Sequence, residues 1–303
     1  MPEPSPTTPA PGPGAAPDNT PRLGPVALCT LLARDGQALV DAYTGYLHQV
    51  MVLADTLDAI TAGAIGYPEL SGARCWLLAN ARGRRWLQVV EYAAAIPGDS
   101  LASYGWLAME VLVADVDSLA AGLNGSPFEI LRPPANLDVS DRIRACQVKG
   151  PAGELLYLTQ VDGEVPPFEL PVCEAPVDHL FIPVLSTPSR ERSLAEYSAL
   201  SGTDGLSFDT RVTVVNQARG FDLERRHPVA TLQLRGQALI EIDEIAGTRP
   251  PSPGICSGMA SVAFYCDNQR NPASIAATTG PFANQNVVAG RGCAGERFTL
   301  VYP

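Results

Sequence analysis

The stretch Gly105–Val161 constrains the chain more than any other. It opens with GWLAMEVLVADVDSLAAGL and closes with IRACQVKGPAGELLYLTQV. Trp106 to Val113 is an apolar run rich in strand formers, and it passes through Asp115-Val116-Asp117 into a short helical pattern. Two further β-rich runs, Ile143–Lys149 and Glu154–Val161, are joined by a Gly-Pro-x-Gly turn. Strand, helix and then strands make a βαβββ unit. One face of its sheet stays uncovered, so the unit needs a partner.

The same order occurs three more times. Pro25–Arg34 reads as a strand and Gln37–Leu57 has helical spacing. Ala73–Leu78 and Arg85–Tyr92 read as strands, with Gly83 as the hairpin signal. Asp178–Leu185 is a strand, Ser189–Leu200 a helix, and Thr210–Asn216, Val229–Leu234 and Ala238–Glu244 strands. Ala260–Cys266 is a strand, Asn271–Ala277 a weakly marked helix, and Gln285–Val288 and Arg297–Tyr302 strands. An internal repeat of this kind predicts an α+β fold: four βαβββ modules paired into two curled-sheet, cup-like domains. The strongest Pro/Gly break, Gly163–Pro176, places the expected domains at 23–163 (modules 25–92 and 105–161) and 176–303 (modules 178–244 and 259–302). Residues 1–22 are Pro-rich, with no periodic apolar pattern and no signal-peptide features, and read as a disordered tail.

"VADVDSLAAGL" and "GPAGELLYLTQ", at the two ends of the second module, resemble the vicinal oxygen chelate superfamily, which includes glyoxalase I, bleomycin-resistance proteins and extradiol dioxygenases. The resemblance implies that paired modules form a cup, with His, Glu or Gln metal ligands near the start of each first strand and on each last strand. Those positions are read as Leu28, Ala108, His179 and Ala260 on the first strands, and Gln88, Tyr157, Glu241 and Thr299 on the last. Only His179, Glu241 and arguably Gln88 are of a ligating type. Two protein ligands make a weak, unselective site. The expectation is therefore no cofactor, with a divalent metal on His179 and Glu241 as the alternative.

Metal-free acid–base work is the leading reading. A His in a partly apolar cup titrates near neutrality, and a carboxylate orients it. By period two Glu241 and Asp243 share a strand face, and Glu244 takes the other. The candidate catalytic group is His179, Glu241 and Asp243, with Tyr157 as a phenol donor if modules two and three share a cup. Substrate would be lined by Leu28, Gln88, Trp106, Ala108, Phe264 and Thr299. Of the other histidines, His48 reads as exposed on the first helix and His227 as part of a charged surface turn.

Bulk properties narrow the partners. A formal charge of −11 with no basic cluster argues against nucleic acid. No apolar run has the length of a bilayer span, which argues against a membrane. Seven scattered cysteines without a CxxC read as reduced thiols, as in a cytoplasm. No GxGxxG or GxxxxGK[ST] occurs in context, so no nucleotide cofactor is indicated. The expected function is a cofactor-independent lyase or isomerase acting on a small, largely apolar carbonyl or aromatic compound. The alternatives are a non-catalytic small-molecule binder and a metal-dependent dioxygenase or lyase with a third ligand elsewhere. Self-association is left open.

Overall fold

The computed structural model of the protein describes residues 20–137, 140–267 and 273–303. The disordered tail expected at 1–22 falls outside these except for its last three residues, where the Arg22 amide donates to the Ser201 carbonyl at 2.8 Å. Module one comprises β1 (Leu23–Ala33), α1 (Gly36–Tyr46), β2 (Val50–Thr56), α2 (Ala59–Ala64), β3 (Arg74–Ala79) and β4 (Arg85–Glu91). Module two comprises β5 (Gly105–Val113), α3 (Val116–Gly122), β6 (Glu129–Leu137), β7 (Ser140–Lys149) and β8 (Leu155–Val161). Module three comprises β9 (Val177–Thr187), α4 (Arg190–Ser201), β10 (Leu206–Arg211), α5 (Thr213–Arg219), β11 (Arg226–Leu234) and β12 (Ala238–Glu244). Module four comprises β13 (Gly258–Cys266), β14 (Ile275–Ala276), β15 (Asn286–Arg291) and β16 (Arg297–Tyr302).

One local device builds modules one to three. Asp35, Asp115 and Ser189 cap the helices, their side chains accepting from the amides of Ala38, Ser118 and Arg192. The first helical amide of each then donates to the last strand of the same module. Gly36 donates to Glu91 at 3.1 Å, Val116 to Gln160 at 3.1 Å and Arg190 to Glu244 at 2.8 Å. Each helix start is thereby tied to the end of the strand that lies parallel beside the first strand. A side-chain acceptor at such a start is worth about 1 kcal/mol.

The modules pair differently from their order in the sequence. One eight-stranded sheet runs β14-β15-β16-β13-β1-β4-β3-β2 and joins modules one and four; the other runs β10-β11-β12-β9-β5-β8-β7-β6 and joins modules two and three. The division at Gly163–Pro176 is thus corrected: that segment connects two halves of one sheet. The joins are antiparallel pairs of first strands, β1 with β13 and β5 with β9. The convex faces of both sheets share one large core with the helices, in which Tyr43, Tyr197, Phe264, Val111 and Ile240 are buried. The two concave faces keep smaller cores of their own.

Four elements depart from the sequence reading. The helix expected over Gln37–Leu57 stops at Tyr46, because His48 takes φ +53° and the chain re-emerges as β2. Its continuation Val50–Leu53 is apolar enough to extend a helical stripe, yet it forms an exposed sheet edge. The strand expected over Thr210–Asn216 ends at Arg211 and becomes α5. Successive Val214 and Val215 are both buried against one concave face, which a strand's alternation forbids. In module four, Asn271 and Pro272 lie outside the described residues; 273–277 hold the short strand β14 instead of a helix. Strand β6 has a mostly polar, half-exposed surface and carries no alternating signal.

Candidate functional site

Strand register identifies which residues face into each cup. β1 and β4 pair Thr30 with Gln88, β5 and β8 pair Glu110 with Tyr157, β12 and β9 pair Glu241 with Val184, and β13 and β16 pair Ala263 with Thr299. These four pairs occupy the same place in the four modules. The last-strand residues are those expected from the sequence. The first-strand positions are corrected: Thr30 replaces Leu28, Glu110 replaces Ala108, Val184 replaces His179 and Ala263 replaces Ala260. Leu28 and Ala108 sit two residues away on the same concave faces. The shift at His179 is larger because β9 begins well before its cup-facing segment.

The cup of modules two and three is acidic inside. Glu110 and Asp243 are buried, and Glu241 remains partly accessible to water. Around them lie Tyr157, Ser186 and Thr231, whose hydroxyls have no hydrogen-bond partner among the described residues. Ser186 pairs with Asp243 across β9–β12, and Thr231 with Glu241 across β11–β12, so all face the same way. Neither oxygen of Asp243 finds a donor, and the Glu241 and Glu110 carboxyls both act on it. Two carboxylates bond to each other only when one carries a proton. Unit charges about 4 Å apart near a protein surface repel by roughly 4 kcal/mol, so the group cannot be fully ionised.

The titration of the cluster follows from that crowding. Burial, and then Glu241, push the Glu110 carboxyl up to about 8. Burial pushes Glu241 up to about 7. Burial, with Glu241 and Glu110 beside it, holds Asp243 well above the usual carboxylate range. The same three acids, after burial itself, raise the Tyr157 phenol and keep it protonated. At neutral pH the cup therefore holds at least one carboxylic acid, a carboxyl near half-ionisation and a phenol, which is the set needed to give and take a proton. Over it, Val212, Val214 and Val215 at the start of α5 pack with Ala108, Val184 and Val229 to form an apolar roof.

His179 is not part of this group. It lies on β9 five residues before Val184, roughly 15 Å along the strand. Its Nδ1 is 2.8 Å from the Asp178 carboxylate, which also accepts from Asn80 of the β3–β4 hairpin and from the Glu174 amide. This is a buried tie between modules one and three. His227 is corrected too: it is buried on β11, with Nε2 2.7 Å from Asn216 Oδ1, and it fixes α5 over the cup. Burial, and then Arg225, lower its pKa. His48 is exposed.

The remaining expected residues divide between places. Gln88 and Thr299 face the cup of modules one and four. Thr30 donates to Gln88 at 3.2 Å, and Thr299 donates to the Ala64 carbonyl at 2.7 Å. At the matching strand positions that cup carries neutral polar groups, and a cavity of about 220 Å³ beside them is lined by Gln88, Leu77 and Leu53 together with Asp55 and Asp58. Trp106 and Phe264 do not line either cup. They stack with Tyr197 in the core between the sheets, at centroid distances of 6.5 and 6.4 Å. Glu110 was the functional candidate the sequence obscured; a lone acid at an inward strand position within an apolar run was its only signal.

Glu110, Glu241 and Asp243 carry the carboxyl oxygens that the acidic cup would offer a divalent ion. Of the four equivalent strand positions, Val184 offers no donor and Tyr157 is held protonated. No three acidic, His or Cys side chains among the described residues are arranged as a metal site.

No family model matches the chain, and no curated protein matches it. Solved structures do match. Glyoxalase I from Zea mays aligns at a TM-score of 0.61 and 12% identity, covering 91% of this chain and 92% of the maize enzyme. A presumptive dioxygenase from Bacillus subtilis subsp. subtilis str. 168 aligns at 0.59 and 11% identity, over 91% of this chain and 84% of its own. At such identities the likeness establishes the fold alone: the chain is folded like glyoxalase I, as four modules in tandem paired into two eight-stranded sheets. No helix among the described residues is long and apolar enough to cross a membrane.

Proposed function

We propose that the protein is a metal-independent acid–base enzyme, a lyase or isomerase, acting in the cup of modules two and three. Its substrate is a small, largely apolar carbonyl or aromatic compound. The observation that carries this reading is the crowding of the Glu110, Glu241 and Asp243 carboxyls on one sheet face beside the unpartnered Tyr157 hydroxyl. Glu241, partly accessible and near half-ionisation, is the base that removes a proton next to the carbonyl. Tyr157 donates to the oxygen on which charge develops, and Asp243 with Glu110 holds and returns the proton. The valine roof excludes water and favours an apolar substrate body.

Proton exchange reveals such chemistry without an identified substrate. Purified protein in deuterium oxide is incubated with a panel of aromatic and aliphatic ketones, and NMR follows solvent exchange at the carbon beside the carbonyl. Catalysed exchange with at least one compound is expected, lost in Glu241→Gln and Tyr157→Phe and kept in His179→Ala. Absence of exchange across the panel, or exchange unchanged in both cup variants, overturns the reading. A binding role without chemistry is the second reading, and the 220 Å³ cavity at the cup of modules one and four favours it there.

A further inference from the structure

A cavity of about 350 Å³, larger than the one at the neutral cup, lies outside both cups where two inter-module linkers meet. The segment after β4 and the segment after β12 run side by side, bridged at Ile96–Cys256 and Ser103–Arg249. Four backbone hydrogen bonds of 2.8–3.0 Å fasten them: Ile96 to Ile255, Ser257 to Ile96, Tyr104 to Arg249 and Arg249 to Ala102. The walls are two copies of one hairpin turn, Gly150–Glu154 between β7 and β8 and Gly292–Glu296 between β15 and β16. In each copy the first glycine amide bonds to the glutamate carbonyl, at 2.8 and 2.9 Å.

The two turns differ in what flanks them. Lys149 and the buried Leu155 flank the first; Arg291 and Arg297 flank the second, and both line the cavity with Arg249. Arg249 is paired with Asp99 at 3.1 Å. Arg297 lies over the Tyr67 ring at 3.8 Å, and the Trp106 indole donates to its carbonyl at 2.8 Å, which fixes its place. Neither Arg291 nor Arg297 forms an ion pair among the described residues. The two remaining acids of the lining are occupied elsewhere. Glu154 accepts from Tyr43 at 3.1 Å and from its own turn at Ala152, and Glu296 accepts from Tyr197 at 3.0 Å and from Ala294. Burial pushes both carboxyls up to about 7, which weakens their opposition to an anion. In a chain of net charge −11, two guanidiniums without a carboxylate partner among the described residues, lining one cavity beside the Tyr67 ring, are a local reversal of sign.

We propose that this cavity binds a small molecule through a phosphate or carboxylate group, held by Arg291 and Arg297 and backed by Tyr67. Guanidinium recognises either oxyanion by the same paired hydrogen bonds, and the volume suits a ligand of metabolite size. Calorimetric titration of the full chain with inorganic phosphate and with succinate, at constant ionic strength and with chloride as control, tests it. Saturable binding of at least one is expected, and the anion that binds tells the two sources apart. Arg297→Gln and Arg291→Gln should each weaken it by about tenfold or more, and Lys149→Gln, at the matching place on the other turn, by less than about twofold. Arg291 is exposed, so its variant tests the site even if Arg297→Gln disturbs packing on Tyr67. Failure of both anions to saturate, or wild-type affinity in both arginine variants, overturns the proposal. None of these outcomes depends on chemistry in the acidic cup.

Discussion

Glu110→Gln should make the protein more stable in alkali and leave it nearly unchanged in acid. Burial, and then Glu241, push this carboxyl up to about 8, against an unfolded value near ~4.3. The native state thus holds a proton that the unfolded chain releases. The stability this contributes is fully present below about pH 4 and is lost as pH rises through the folded value. At about 1.36 kcal/mol per unit, a displacement of roughly 3.5 units is on the order of 5 kcal/mol. Glu241 and Asp243 share protons with Glu110 and relax when its charge is gone, so part of this is theirs. Glutamine matches the protonated acid in shape and carries no charge. The variant should therefore gain about 2–4 kcal/mol over wild type near pH ~8.5 and less than about 1 kcal/mol near pH ~5. Urea denaturation at the two pH values measures both differences. Wild-type stability that rises from the lower to the higher pH, or a variant no more stable than wild type in alkali, would refute the crowding argument.

Three further outcomes follow from the same geometry. Tyr157→Phe removes a hydroxyl that has no partner among the described residues, so thermal denaturation should find it within about 0.5 kcal/mol of wild type or more stable. Tyr43→Phe removes one of the donors to the buried Glu154, leaving the Ala152 amide, and should cost about 1–3 kcal/mol by the same measurement; an unchanged midpoint would mean that this contact does not tie modules one and two together. Glu244→Ala strips the acceptor from the first amide of α4 and should cost about 1 kcal/mol, read by urea denaturation, whereas Glu164→Ala at an exposed position should be neutral.

Modules one to three were legible as strand, helix and strands, and in each the first strand runs into a capping residue while the last strand ends in an acceptor for the helix start. Asp35, Asp115 and Ser189 announce the helices, and Glu91, Gln160 and Glu244 return to them. The pairing of modules was not legible, since it depends on which first strands lie antiparallel across a join remote in sequence. The acidic cup was half legible. Glu241, Asp243 and Tyr157 could be placed by strand period, but Glu110 needed the register of β5 against β8. His179 misled because its chemistry is suggestive and its strand is long: β9 spends its first residues on the tie to Asp178 and Asn80 before it reaches the cup. Val214 and Val215 misled for a different reason, their β-branched character being overridden by a concave face that both must cover.

The proposed chemistry rests on three carboxyls in the cup of modules two and three sharing protons at neutral pH. Carbon-13 NMR of the labelled Asp and Glu carboxyls, assigned by Glu110→Gln, Glu241→Gln and Asp243→Asn, tests this most directly. At least two of the three should titrate above about pH 6, and removing any one should lower the others. Three independent titrations in the ordinary range near ~4 would contradict it.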